Sequence, residues 1–148
     1  MHSLIKISGH WDVKLTGPDG ALKQHVHGQN VITTVGKEYL ASYLLSAATS
    51  AVNTLKYIAV GTSTTPEAAS DTGLGTELAR VTGTVSYTSG AIYEVVATFA
   101  AGTGTGAIVE YGLFSSSTGG TMFSRDTEAV INKGAGDTLT VTHQVTFS

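Results

Sequence analysis

His25 and His27, in the run "HVH", stand two residues apart, and in a strand such residues leave the same face. Two imidazoles on one face can hold a metal ion together, yet two ligands from one chain are too few. Copies meeting on a symmetry axis would complete the site. Without an axis, His25 and His27 read as solvated histidines on a strand edge, and His10 and His143 give no obvious third ligand. His143 lies between Val141 and Val145 on an apolar face. It reads as a core or interface imidazole held by a hydrogen bond.

The chain has 14 serines, five histidines and 11 acidic residues, but no Gly-x-Ser-x-Gly elbow and no His-Glu-x-x-His pair. "GTGTG" at 102–106 lacks the Lys-Ser/Thr of a phosphate loop and the helix that should follow it, so it reads as a hairpin tip. Much of the scarce charge sits in "ELAR" (77–80) and "SRDTE" (124–128). Glu77 with Arg80, and Arg125 with Asp126, read as ion pairs, or as carboxylates bonded to amides, that pin loops. The chain is read as no enzyme, with no catalytic residue, no cofactor and no metal beyond the His25–His27 candidate.

Those side chains need a frame. Of 148 residues, 41% are apolar and only 13% charged, against roughly 25% charged in an average domain. The surface must be covered by the 23 Thr, 14 Ser and 18 Gly. Thr favours strands, while Gly and Ser favour turns. A net charge of −3 and no basic stripe argue against nucleic acid as a partner. The absence of cysteine removes disulfides and thiolate sites. No signal peptide is read at the N-terminus, and no run of apolar residues is long enough to span a membrane.

Trp11, Val13 and Leu15 alternate with polar residues, "GPDG" at 17–20 makes a turn, and the chain returns through Leu22, Gln24 and Val26 as a hairpin. Leu40, Tyr43, Leu44 and Ala47 fall at helical spacing behind Thr33 or Thr34, predicting one short α-helix near residues 34–48. Strands resume at 55–61, 80–88, 91–100 and 107–114. In the last run Leu139, Val141, His143, Val145 and Phe147 face one way and threonines face the other. The expectation is a single all-β domain over residues 1–148, an antiparallel β-sandwich of seven to nine strands, jelly-roll-like or Ig-like. Residues 1–10 are read as a possible N-terminal docking arm, with Leu4, Ile5 and Ile7 as its apolar contacts. The stretch from Tyr57 to Val81 is read as a structural connector, with Leu74 and Leu78 packed back on the domain and Glu77 and Arg80 fixing it.

Four pieces in order, "NVITTVGKEYLA", "YIAVGTSTTPEAASDTGLGTELAR", "YGLFSSSTGGTMFSR" and "DTLTVTHQVTF", give the chain a likeness. From about Leu15 to Phe147 it resembles a family of small structural proteins of tailed bacteriophages. One departure is His143, where the resemblance implies a larger aromatic. The resemblance implies a virion component, assembled in the host cytoplasm, with no catalytic residues to carry over. The first expectation is a head decoration (cement) protein. It would bridge capsomers, bind the major capsid protein and assemble as a homo-oligomer, a trimer first. The alternatives are a tail, baseplate or fibre-adaptor protein, and a glycan-binding module for host attachment. A glycan site needs an exposed aromatic platform, with Trp11 and the tyrosines as its candidates.

Overall fold

Pro18, Asp19 and Gly20 turn the chain between β1 (Ile7–Thr16) and β2 (Leu22–Ile32). Gly20 N–H donates to the Gly17 carbonyl at 2.9 Å, with Gly20 at φ 80°, and Asp19 Oδ1 accepts from Ala21 N–H at 3.0 Å. The computed structural model describes residues 5–45, 55–88 and 91–148. After β2 comes one helix, α1 (Thr34–Leu45). Seven more strands follow: β3 (Tyr57–Gly61), β4 (Glu77–Thr82), β5 (Thr84–Thr88), β6 (Ile92–Phe99), β7 (Gly106–Phe114), β8 (Met122–Lys133) and β9 (Thr138–Phe147).

All the strand pairs are antiparallel, and the order across the sheet is β4-β3-β7-β8-β2-β1-β9-β6-β5. The expected all-β antiparallel sandwich is present, with its two layers continuous. One layer is β2-β1-β9-β6-β5 and the other is β4-β3-β7-β8. Between them lies one apolar core, with Trp11, Val13, Val95, Phe99, Leu139 and Val141 on one side and Ile58, Val60, Ile108, Leu113, Phe123 and Ile131 on the other. Along β1, β3, β6 and β9 these side chains keep to alternate residues, as half-buried strands require, while on β7 the irregularity between Ile108 and Glu110 shifts the inward face.

The layers join at two places. At one, β2 pairs with β8 only through Val31–Arg125 and Ile32–Ser124. At the other, Gly83 alone connects β4, the first strand in the order, to β5, the last. A β-carbon on Gly83 would fall 2.6 Å from Val95 Cγ1, and Gly83 N–H donates to the Lys56 carbonyl at 2.7 Å. The single strand read over 80–88 is therefore two strands on opposite edges. The sequence signal was a glycine inside a strand pattern, which marks a bend or a close backbone approach.

Other readings also change. The 102–106 loop is not a hairpin tip, because β6 and β7 lie in different layers. It crosses between them, with Gly102 at φ 80° and Gly104 at φ 65°, and Gly102 N–H bonds to the Ala135 carbonyl. β8 adds a strand where the sequence reads only a loop-pinning charge cluster. Of the N-terminal arm, Ile7 to His10 belong to β1: all four pair with β9, and Gly9 and His10 pair with β2 as well. Ile7 packs on the core, Ile5 is 78% exposed, and Leu4 lies outside the described residues.

Thr33 starts the helix. Its hydroxyl accepts Gly36 N–H at 3.0 Å and donates to the Met122 carbonyl at 2.6 Å, so one side chain caps α1 and ties it to β8. Leu40 turns to the core as the spacing predicts. The predicted end of the helix at Ala48, with Ala47 and the side chains of Tyr43 and Leu44, lies outside the described residues. Gly36 is where α1 touches β8: a β-carbon there would sit 2.4 Å from the Phe123 carbonyl oxygen. Gly36→Ala is expected to lower unfolding free energy by about 1–3 kcal/mol in urea titrations, because backbone overlap outweighs the ~1 kcal/mol gained in helix propensity.

Candidate functional site

Four features outside the apolar core could carry function: a loop clasp, an outer histidine face, a polar seam between the layers, and an apolar cavity. The clasp holds the β3–β4 loop. Gly61 ends β3, and a β-carbon on it would meet Glu110 Oε1 at 2.4 Å and the Thr76 carbonyl oxygen at 2.3 Å. This space lets the fully buried Glu110 of β7 reach the loop backbone. Its Oε1 accepts from Ser63 N–H at 3.1 Å and Thr76 N–H at 2.7 Å, and its Oε2 accepts from Gly75 N–H at 2.8 Å. Arg125 of β8 binds Glu110 Oε2 through Nε at 3.2 Å and Nη2 at 2.9 Å. The guanidinium also reaches Asp71 Oδ2 at 2.8 Å and the carbonyls of Thr65 and Pro66. Thr127 donates to Glu67 on the same side.

A second latch lies beside it. Arg80 binds Glu77 with both Nε and Nη2, at 2.9 and 2.7 Å, and donates Nη1 to the Ser116 and Gly119 carbonyls. Its guanidinium stacks 3.6 Å from the centre of the Phe114 ring. Leu74 packs with Phe114, Met122 and Ala59, as the connector reading requires. Leu78 departs from that reading, being 41% exposed.

On the outer face of β1 and β2, His25 and His27 stand with ring centres 5.8 Å apart, and His10 lies 6.0 Å from His27. His25 Nε2 is 2.6 Å from Asp12 Oδ1. Among the described residues, no group of three or more His, Asp or Glu side chains is placed to hold a metal ion.

The third feature was not anticipated. Past Val31 and Arg125 the β2–β8 ladder stops, and polar side chains fill the gap from the inner side. Ser124, Asp126 and Glu128 alternate on one face of β8, while Arg125 and Thr127 face the loop. Arg125 and Asp126 thus part to opposite faces and do not form the ion pair expected of them. A bulge follows: on β8 three residues, Glu128 to Val130, stand against Val109 alone on β7. His143 is buried as predicted. Its Nε2 meets Asn30 Nδ2 at 2.6 Å and Ser124 Oγ at 3.1 Å, and its ring packs 4.1 Å from that of Trp11. Tyr111, the ladder partner of Asp126, stacks near Trp11 with ring centres 6.0 Å apart.

Burial, with His10 adding to it, holds the His143 imidazole down at about 3. Burial first, and the Glu128 carboxyl second, push Asp126 up to about 8. Burial and the same two carboxyls push the Tyr111 hydroxyl up. Trp11 Nε1, Asn30 Oδ1, Tyr111 OH, Asp126 Oδ2 and His143 Nδ1 are buried without a hydrogen-bond partner, and all five line this seam.

No family model, curated protein or solved structure matches this chain. The site is therefore read from its own geometry. Clasp and latch are built for fixation, since nearly every donor is committed. The seam is different, since its polar atoms converge and stay unmet. Its sequence signal is the i, i+2 pair of acids, Asp126 and Glu128, inside the "SRDTE" charge cluster. The fourth feature, an apolar cavity of about 270 Å³, opens between α1 and the ends of β6 and β9, lined by Leu40, Tyr93, Phe123, Val145 and Phe147 among others. Tyr93 donates to the Leu55 carbonyl at 2.7 Å.

Arg125→Ala strands the buried Glu110 carboxylate, so a loss of about 3–5 kcal/mol is expected in chemical denaturation, with faster proteolysis in the 62–76 loop. Adding Glu110→Gln should restore part of it. The pH dependence follows from the seam. Asp126 keeps its proton longer in the folded state, so its contribution is full below about pH 4 and is lost as pH rises through about 8. His143 stays neutral, so its contribution is full above about pH 6.5 and is lost as pH falls toward about 3. The two oppose each other between about pH 4 and 6.5, leaving the Asp126 slope above that range. In chelator-treated buffer, stability should drop by about 1–2 kcal/mol from pH 6.5 to 8, and Asp126→Asn should flatten that drop.

Proposed function

We propose that this chain is a virion structural protein of a tailed bacteriophage and that it decorates the head, bridging capsomers as a homotrimer bound to the major capsid protein. The observation that carries the reading is how the two most specific resembling blocks meet. "IAVGTSTTPEAASDTGLGTELAR" supplies Asp71, Leu74, Glu77 and Arg80, and "YGLFSSSTGGTMFSR" supplies Phe114, Gly119, Met122 and Arg125. Arg125 reaches back to Asp71, Arg80 reaches forward to Phe114 and Gly119, and Leu74 packs on Phe114 and Met122. Blocks well separated in sequence lock into one unit, so the likeness falls on a coherent structural device. Gly112 belongs to it too: a β-carbon there would stand 2.8 Å from Phe114 and 3.0 Å from Leu74.

The use of charge also supports a scaffold role. Lys23 binds Asp137, and Arg80 and Arg125 hold loops. A decoration protein works by mass action: it binds the assembled shell and not its free subunits, and so stabilises the shell. Ile5, exposed just ahead of β1, is the docking contact that remains from the N-terminal arm. A tail or fibre-adaptor role is the second reading, favoured by the gathering of His10, His25 and His27 on one outer face where a symmetry axis could pass. The glycan reading loses its main candidates, because Trp11 and Tyr111 are fully buried.

Purified protein added to phage heads that lack it should give ordered density at regular lattice sites by cryo-electron microscopy, and Ile5→Asp should reduce the occupancy. A bare head with density confined to the tail would overturn the decoration reading in favour of the adaptor.

A further inference from the structure

The seam between β2 and β8 gathers negative charge without a cation to meet it. Asp126 is buried, Glu128 is half-buried, and neither belongs to an ion pair among the described residues. Arg125, next to Asp126 in sequence, turns to the opposite face and commits its guanidinium to Glu110, Asp71, Thr65 and Pro66. Lys133 donates to the Ala100 carbonyl and Lys23 to Asp137. A buried carboxylate left uncompensated is costly, so this arrangement calls for a positive partner.

Three further observations point into the same gap. The Tyr111 hydroxyl is fully buried, has no hydrogen-bond partner, and has Glu128 and Asp126 as the charges acting on it. Asn30 Oδ1 and Asp126 Oδ2 are unpartnered as well. Two glycines clear the space: a β-carbon on Gly28 would lie 1.5 Å from Glu128 Oε1, and one on Gly9 would lie 1.9 Å from Asn30 Oδ1.

We propose that this seam binds a hard divalent cation of the calcium type, with the Asp126 and Glu128 carboxylates as charged ligands and the Asn30 amide oxygen and Tyr111 hydroxyl as neutral oxygens. The unpartnered nitrogens of the seam, Trp11 Nε1 and His143 Nδ1, carry hydrogens, the latter because His143 Nε2 accepts from Asn30 Nδ2, so the atoms free to act as ligands are oxygens, which suit a hard cation. His143 Nε2 is already engaged by Asn30 and Ser124. Two carboxylates balance a divalent charge. An irregular gap between diverging strands suits calcium, which tolerates flexible geometry, better than magnesium, which demands a near-ideal octahedron. Glu67 adds negative potential from the loop side while its own carboxylate takes the Thr127 hydroxyl. The competing way to neutralise the pair is a proton shared between the two carboxyls.

The full chain, stripped with EDTA and held near pH 7.5 at constant ionic strength, separates the two. Calcium chloride should raise Tm by about 5 °C at a hundredfold excess over Kd, and magnesium by less. Terbium should show emission sensitised through Tyr111 and Trp11 that added calcium displaces. Glu128→Gln, which alters the more exposed carboxylate and keeps its shape, should fold normally and weaken both responses about tenfold or more. A Tm indifferent to millimolar calcium, no sensitised emission, or responses unchanged in Glu128→Gln would each overturn the site and leave the shared proton.

Discussion

The ion pair between Glu110 and Arg125 holds together a region that apolar packing could not hold. The β3–β4 loop is built from Thr, Ser, Ala and Gly, and Leu74 is the large apolar side chain it sinks into the domain. Such a segment gains little from burial and loses much conformational entropy on ordering. Its backbone amides supply what the buried Glu110 carboxylate needs, and its carbonyls supply what the Arg125 guanidinium needs. Pair and loop therefore solvate each other. Gly61 and Gly75 belong to the same arrangement, because side chains there would collide with Glu110 or Ser63.

How much of this was legible in the sequence depended on whether the signal was local. The alternation through Leu139, Val141, His143, Val145 and Phe147 gave β9 directly, and it placed His143 inside. The helix cap at Thr33, one of the two adjacent threonines the sequence offers, the turn at Pro18 to Gly20, and the Glu77–Arg80 pair are also short-range signals. β8 escaped because polar residues occupy both of its faces: Arg125 and Thr127 serve the loop, while Ser124 and Asp126 serve the seam. The β4–β5 break escaped because Gly83 sits inside an unbroken run of strand-forming residues. The seam itself needs five strands to meet, and no window of sequence contains it. Its one local trace, two acids two residues apart, looked the same as a solvated charge cluster.

The molecule economises on charge in a consistent way. Outside the seam, ionic groups fasten loops to strands: Lys23 to Asp137 at the β8–β9 turn, Arg80 at the β7–β8 turn, Arg125 at the β3–β4 loop. The outward face of β9 is left to Thr138, Thr140, Thr142, Gln144 and Thr146, while that of β1 carries Ser8, His10, Asp12, Lys14 and Thr16.

Gly83 has a bearing on how the fold is reached. Because one residue joins the two edge strands, neither edge can settle until the layers between them have come together. β1 and β9, which lie side by side, come from opposite ends of the described chain. Four of the eight strand pairings, β1–β9, β2–β8, β3–β7 and β6–β9, join strands that are not consecutive in sequence, and their loop-closure entropy is met before many contacts compensate for it, which makes for slow folding. The same linkage works in reverse once the sheet is rolled. A frayed edge strand stays tethered to its counterpart on the far edge, so β4 and β5 have little freedom to add to the sheet of a neighbouring molecule.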